Sequence, residues 1–196
     1  MVSEKELVEG CQKQQNYAQK MLYKKYAPEM KAVCLMYIKD KDIVKDVIQD
    51  SFIKVFENLH SYRFDGPLGA WIRKIVINTT LNHLRKIKKT ETQIVKEDYE
   101  QIEIVDETDD EDLNEMIYDL TGEDLHYAIS QLPEKFRIVF SLFYLEDYSH
   151  KEIAKKLDIG ETLSRVSLNR SKKILRGILL DILTIKNGDE KGVAKK

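Results

Sequence analysis

Lys74, Asn78, Asn82, Arg85 and Lys89 recur at steps of four, four, three and four residues, which puts all five on one face of a helix. Amide side chains hydrogen-bond to base edges and long cationic ones neutralise phosphates, so this mixture suits a nucleic-acid strand. From Ile72 to Lys89 there is no Asp or Glu, while Arg73, Lys74, Arg85, Lys86, Lys88 and Lys89 supply six positive charges. A polar stripe on a core helix is more often simply solvated, but the complete lack of acids favours a binding role. Just before it, the stretch Leu59 to Trp71 sets Tyr62, Arg63, Phe64 and Trp71 among Gly66, Pro67 and Gly69. Aromatic faces beside positive charge hold the unstacked bases of a single strand, and such a loop can receive a base extruded from the stack. Trp71 taken alone is better read as a cap on the core.

A second cluster lies toward the C-terminus. Ser149 followed by Glu152 is a capping-box signature for a short helix that packs inward through Ile153, Ala154 and Leu157. After a turn at Asp158-Ile159-Gly160, the segment Glu161 to Leu180 carries Arg165, Arg170, Lys172, Lys173 and Arg176. A short helix and a longer basic one joined by a tight turn is the layout of a helix-turn-helix, whose second helix enters the major groove of DNA.

These clusters need helices to position them, and the composition supplies little else. Among 196 residues there are only three prolines and eight glycines, and Val/Ile/Thr-rich runs are scarce. The expected fold is all-α: two small helical domains joined by an acidic flexible linker, the second containing the helix-turn-helix. Helices are expected over about Tyr17 to Tyr26, Pro28 to Tyr37 with the proline in the first turn, Asp42 to Leu59 and Ala70 to Lys89. The third should bury Ile43, Val47, Ile48, Ile53, Val55 and Phe56. The domains are expected at 1–89 and 123–185, with an acidic linker over 90–122 and a polar, frayed tail over 186–196. A short helix near Leu113 to Leu120 is conceivable within the linker.

Charge is segregated along the chain. Between Glu97 and Asp124 stand fourteen acidic residues and no Lys or Arg; taking those fourteen charges from the net −2 leaves the remainder at +12. Such asymmetry speaks of partners rather than of fold. Cys11 and Cys34 lack zinc-ligand spacing and read as reduced thiols in a helical core. His60, His83, His126 and His150 are scattered, with no nucleotide loop or metal spacing, so no enzyme activity, cofactor, metal or small-molecule substrate is expected. His150, in a first helical turn, reads as merely exposed. With a polar N-terminus and no apolar run of membrane length, a cytoplasmic protein is expected.

Taken together, the two halves resemble the extracytoplasmic-function group of bacterial sigma-70 factors, which keep only the second and fourth conserved regions. The resemblance is carried by Asp46 through Phe56 (DVIQDSFIKVF), Trp71 through Asn78 (WIRKIVIN), Leu84-Arg85-Lys86, Leu132 through Phe140 (LPEKFRIVF) and Tyr148 through Ala154 (YSHKEIA). It spans nearly all of residues 17–180, and the two sets in this order are specific. It implies that Asp46, Gln49, Asp50, Phe52 and Phe56 dock on the clamp helices of the largest subunit of core RNA polymerase. It implies that Tyr62, Arg63 and Phe64 in the loop capture a flipped −10 base. Trp71, Lys74, Asn78, Asn82, Arg85 and Lys89 would hold and help melt that promoter element. The helix bearing Thr162, Ser164, Arg165, Ser167, Asn169, Arg170 and Lys173 would read the −35 element, and the same domain would meet the polymerase flap. An anti-sigma factor is a further expected partner. The acidic linker would thread the basic channel later used by nascent RNA. As a coil it spans about 30 Å and, taut, about 110 Å, which bridges more than one turn of duplex, about 35 Å.

This sequence departs from the family in having Asn82 where Asp is usual, Gly160 at the N-cap of the recognition helix, and Leu163 and Val166 within it. Two other readings compete: a stand-alone helix-turn-helix regulator of duplex DNA, and an interaction protein acting through its acidic segment. The first leaves the basic aromatic segment unexplained, and the second leaves both basic helices without a role.

Overall fold

Ser3 opens the first helix by accepting from the Glu6 backbone amide while the Glu6 carboxylate reaches back to the Ser3 amide at 2.7 Å, a reciprocal cap that satisfies two orphan donors. The structure, a computed structural model, describes residues 3–90, 116 and 120–193, with the side chains of 88–90 and 187–193 outside it. The chain divides into two units, Met1–Thr92 and Gln93–Lys196. The described residues form helices without any strand, as expected.

Unit 1 contains α1 (Glu4–Gln12), α2 (Asn16–Leu35), α3 (Lys41–Asn58), a 3-10 turn (Leu59–Ser61) and α4 (Leu68–Thr90). The break expected before Pro28 does not occur: α2 runs through it. Pro28 and Lys24, whose carbonyl loses its amide partner, both face solvent, so water can satisfy what the ring removes. Inside, Leu22, Tyr26, Met30, Val33 and Cys34 keep the helix seated on the core. Asp40 caps α3 through the amides of Asp42 and Ile43. The buried stripe of α3 is Val44, Val47, Ile48, Ser51, Phe52 and Val55. Ile53, expected inside, is 48% exposed, and Ile43 and Phe56 are half-buried. Val47, Ile48 and Val55 are inside as expected, while Val44, Ser51 and Phe52 are buried in place of Ile43, Ile53 and Phe56, because a helix of mixed apolar residues admits two overlapping periodicities.

Unit 2 contains α5 (Gly122–Gln131), α6 (Glu134–Phe140), a π-helical segment (Ser141–Leu145), α7 (His150–Leu157) and α8 (Glu161–Val193). Thr121 and Asp124 form a capping box at the start of α5. Leu132 is extended (φ −59°, ψ 141°), as the residue before Pro133 is obliged to be. The fully buried Arg137 folds back and donates to the carbonyls of Ser130 and Leu132 at 3.3 and 3.1 Å, the orphan acceptors at the end of α5. That is the structural reason for Leu-Pro-Glu-Lys-Phe-Arg. The π-helical segment was not anticipated.

The linker expected over 90–122, and the short helix within it, lie almost wholly outside the described residues. The tail differs from expectation: α8 continues to Val193, and Lys186 pairs with Asp124 at the start of α5. Among the described residues, no helix is long and apolar enough to cross a membrane.

Two outcomes follow from these contacts. A Cβ at Gly10 would lie 2.7 Å from the Ala18 Cβ. Helix propensity alone would favour Gly10→Ala by about 0.5–1 kcal/mol, but overpacking costs about 1–3 kcal/mol, so thermal melting should show the variant less stable. The Lys186 ammonium and the Thr121 hydroxyl and amide hold the Asp124 carboxyl down at about 2. A depressed carboxyl adds stability above its unfolded value, about 3.9, and that stability is lost as pH falls through the folded value. Chemical unfolding at pH 6 and pH 3 should therefore show a smaller acid loss for Asp124→Asn than for the unsubstituted chain.

Candidate nucleic-acid interface

Seating α4 on Leu68, Ile72, Val76, Ile77 and Leu81, all buried, leaves Lys74, Asn78 and Asn82 exposed on its outer side with Arg85 half-buried beside them. The expected stripe is thus a real surface. Arg85 donates to the Asn82 side-chain oxygen at 3.1 Å, which orders the two into one polar unit. Lys89 lies in the last turns of α4, its side chain outside the described residues.

At the N-terminal end of this face, the loop closes into a pocket of about 400 Å³. Its walls include Ser61, Tyr62, Arg63, Gly66, Trp71 and Lys74. Small-ligand clefts run from about 300 to 1,000 Å³. The Tyr62 hydroxyl donates to the Gly66 carbonyl at 2.6 Å, drawing the loop into a ring. The Tyr62 ring lies 4.8 Å from that of Phe64 and 5.6 Å from that of Trp71. Burial, then the nearby carboxylates of Glu4 and Asp65, push the Tyr62 phenol up, so it remains a protonated donor. Tyr62 is therefore mostly buried, a wall rather than a projecting contact, whereas Phe64 is half exposed. Phe64 holds a left-handed backbone, φ 62°. For a bulky residue this is strain of order 1–3 kcal/mol, the kind found where a site is held ready. Trp71 is half-buried and lines the pocket.

On α3, Asp46, Gln49, Asp50 and Ile53 are exposed together at spacings that share a face. Phe52, expected on this docking surface, is instead core: it is 2% exposed and sits edge-on to Tyr23 at 4.7 Å. Ile53 takes the exposed place. Apolar type alone could not separate two adjacent residues; only the packing of α3 on α2 does.

In unit 2 the helix-turn-helix is α7 and α8. Ser149 and Glu152 form the expected capping box, and Asp158, at φ 57°, ends α7 in the left-handed region that short polar side chains tolerate. Thr162, Arg165 and Lys173 are exposed on α8, and Asn169 and Arg170 are half-buried. Arg165 pairs with Glu161 at 2.8 Å. Ser164 and Ser167, expected to read bases, point inward: Ser164 is fully buried and Ser167 nearly so. Small side chains are what let α8 approach the rest of the unit closely. The Ser164 hydroxyl lies 2.9 Å from His150 Nδ1, and the His150 ring stacks on Phe143 at 4.8 Å. His150 is therefore not merely exposed. It links the π-helical segment, α7 and α8, and the one sequence sign of this was its place in the first turn of α7. Burial, and then the Arg165 charge, push the His150 imidazole below its usual value. Among the described residues there is no group of His, Cys, Asp and Glu that could hold a metal.

Comparison with known proteins matches the sequence to two families: residues 22–90 match Sigma-70 region 2 and residues 122–175 match Sigma-70, region 4. The chain is 30% identical over 169 residues to the RNA polymerase sigma-H factor of Pseudomonas aeruginosa, covering 83% of this chain and 88% of that protein. It is 28% identical over 171 residues to the ECF RNA polymerase sigma-E factor of Haemophilus influenzae, covering 84% of this chain and 90% of that one. Among solved structures, the Bartonella quintana sigma factor RpoE, in complex with the anti-sigma factor NepR, aligns with a TM-score of 0.45 and 20% identity over 82% of this chain and 95% of that chain. The chain belongs to the extracytoplasmic-function group of the sigma-70 family. It is a transcription initiation factor that binds core RNA polymerase and promoter DNA and directs promoter-specific transcription.

The burial pattern separates neighbouring recognition-helix residues. Ser164→Ala should lower the stability of unit 2 by about 1 kcal/mol, the size of one lost hydrogen bond. Thr162→Ala should stay within about 0.5 kcal/mol of the unsubstituted chain. Because the His150 imidazole is depressed in the folded state, the unfolded chain binds the extra proton first. Stability present above about pH 6.5 should therefore be lost as pH falls, and His150→Gln should flatten that slope in melts at pH 7.5 and 5.5.

Proposed function

We propose that the pocket of Ser61, Tyr62, Arg63, Gly66, Trp71 and Lys74 captures one base flipped out of the −10 element. Its position directly against the Lys74, Asn78, Asn82 and Arg85 face is the observation that carries this reading. Aromatic walls offer stacking to any base, and the adjoining cationic and amide face can hold the strand from which the base came. Lys89 extends that face by sequence. A left-handed Phe64 and the Tyr62–Gly66 bond support a pocket shaped before DNA arrives.

In the same proposal, Thr162, Arg165, Asn169, Arg170 and Lys173 of α8 read the −35 element in the major groove, while Ser164 and Ser167 hold the helix in place. Asp46, Gln49, Asp50, Ile53 and Phe56 meet the clamp helices of the polymerase largest subunit. Phe52 supports that face from below. Unit 2 meets the flap. Family membership also supports an anti-sigma factor as a partner. The protein acts in the cytoplasm, where polymerase and promoters are.

The decisive experiment is co-purification with core RNA polymerase followed by run-off transcription from genomic fragments. The expected result is initiation at a discrete set of promoters. Asn78→Ala should reduce open-complex formation while leaving closed-complex affinity intact. Arg165→Ala should relax sequence preference at the −35 element by about 1–3 kcal/mol for the base it contacts. A chain that ignores core polymerase but shifts duplex DNA by itself would be a stand-alone regulator, and the assignments in unit 1 would fall.

A further inference from the structure

Helix α1 stands outside both matched sigma-70 regions, yet it contacts one end of the pocket loop directly and the other through Tyr26 of α2. At its C-terminal end, Gln12 Nε2 donates to the Leu59 carbonyl at 3.2 Å. Leu59 begins the 3-10 turn that delivers Ser61 and Tyr62 to the pocket wall. At its N-terminal end, Glu4 accepts a hydrogen bond from the Tyr26 hydroxyl and pairs with Lys25 at 2.8 Å. The Tyr26 ring bears on Gly69, where an added Cβ would lie only 3.2 Å from it. Gly69 directly precedes Ala70 and Trp71, which line the opposite wall. The stretch from Leu59 to Gly69 is thus met at one end by α1 directly and at the other by Tyr26 of α2, whose hydroxyl α1 holds through Glu4.

We propose that α1 is a brace for base capture, with Gln12 and the Glu4–Tyr26 pair acting as positioning residues for the pocket. This rests on the reading of the pocket as the base-capture site. The physical argument is preorganisation. A loop ordered during folding does not have to lose its conformational freedom when the base arrives, so more of the stacking and hydrogen bonding appears as affinity. The two contacts are also separable from the seating of α1, which is done by buried Leu7, Val8 and Cys11. Gln12 itself is exposed, so its substitution leaves the core intact.

The test uses holoenzyme assembled with the full chain and a promoter recovered by run-off transcription, prepared as a fork that is single-stranded across the −10 element. Each −10 base is replaced in turn by an abasic site to find the captured one. Gln12→Ala and Gln12→Glu, the latter isosteric but without the donor, should weaken binding of the intact fork roughly five- to tenfold, as expected for one hydrogen bond. Tyr26→Phe, which keeps the ring against Gly69, should act in the same direction. Gln12→Lys, which restores a donor, should recover affinity. On the fork that lacks the captured base, all variants should match the unsubstituted holoenzyme, and core binding should be unchanged throughout. Unaltered binding of the intact fork by Gln12→Ala and Gln12→Glu overturns the brace. So does a loss that persists undiminished on the abasic fork, since α1 would then act elsewhere. If no abasic replacement weakens the unsubstituted holoenzyme, the pocket reading itself fails and the brace falls with it.

Discussion

A single helix, α4, must both complete the core of unit 1 and present its cationic face, and the 3.6-residue period is what allows one sequence to do both. Leu68, Ile72, Val76, Ile77 and Leu81 decide its rotation, and Lys74, Asn78 and Asn82 take their direction from that choice. Turning the helix by one residue, about 100°, would bring polar positions against the core of α2 and α3, an outcome excluded by the cost of burying unpaired charge. The two buried threonines of α4 are paired accordingly. Thr80 donates to the Val76 carbonyl at 2.8 Å, and Thr79 accepts from the Lys54 ammonium at 3.2 Å. The cationic face is therefore a by-product of core packing.

The same logic governs α8 with the inner and outer roles reversed in size. Its inner side carries Ser164, Ser167 and Ser171, all buried, where small side chains permit close approach. Ser171 donates to the Leu168 carbonyl at 2.6 Å, and Ser164 meets His150. The longer Thr162, Arg165 and Lys173 are left for the outside. A polar residue on a recognition helix is thus not by that fact a reader of bases; in this helix half of the small polar ones are packing.

Function needs these two surfaces in one molecule that carries almost no net charge. Fourteen clustered acids offset a basic remainder, so attraction to phosphate is local to each helical unit rather than spread over the chain. For an initiation factor that works with polymerase, local cationic faces suit DNA that is brought to them.

Periodicity, caps and charge were legible in the sequence because each depends on neighbours within a few residues. The all-α class, the Ser149–Glu152 capping box, the helix-turn-helix and the α4 stripe were read from such local patterns and stand in the structure. What the sequence left open depended on partners distant along the chain. Continuation of α2 through Pro28 required knowing that its outer side meets water. Choosing Phe52 over Ile53 for the core required the Tyr23 ring of α2. The inward turn of Ser164 required His150, fourteen residues away, and the bracing of the pocket loop required Gln12, forty-seven residues before its acceptor. The sequence by itself determined the all-α class, the local caps and which helices carry positive charge. Tertiary packing decided which side of each helix is available, because rotation about a helix axis is set by the shape of what lies beneath it.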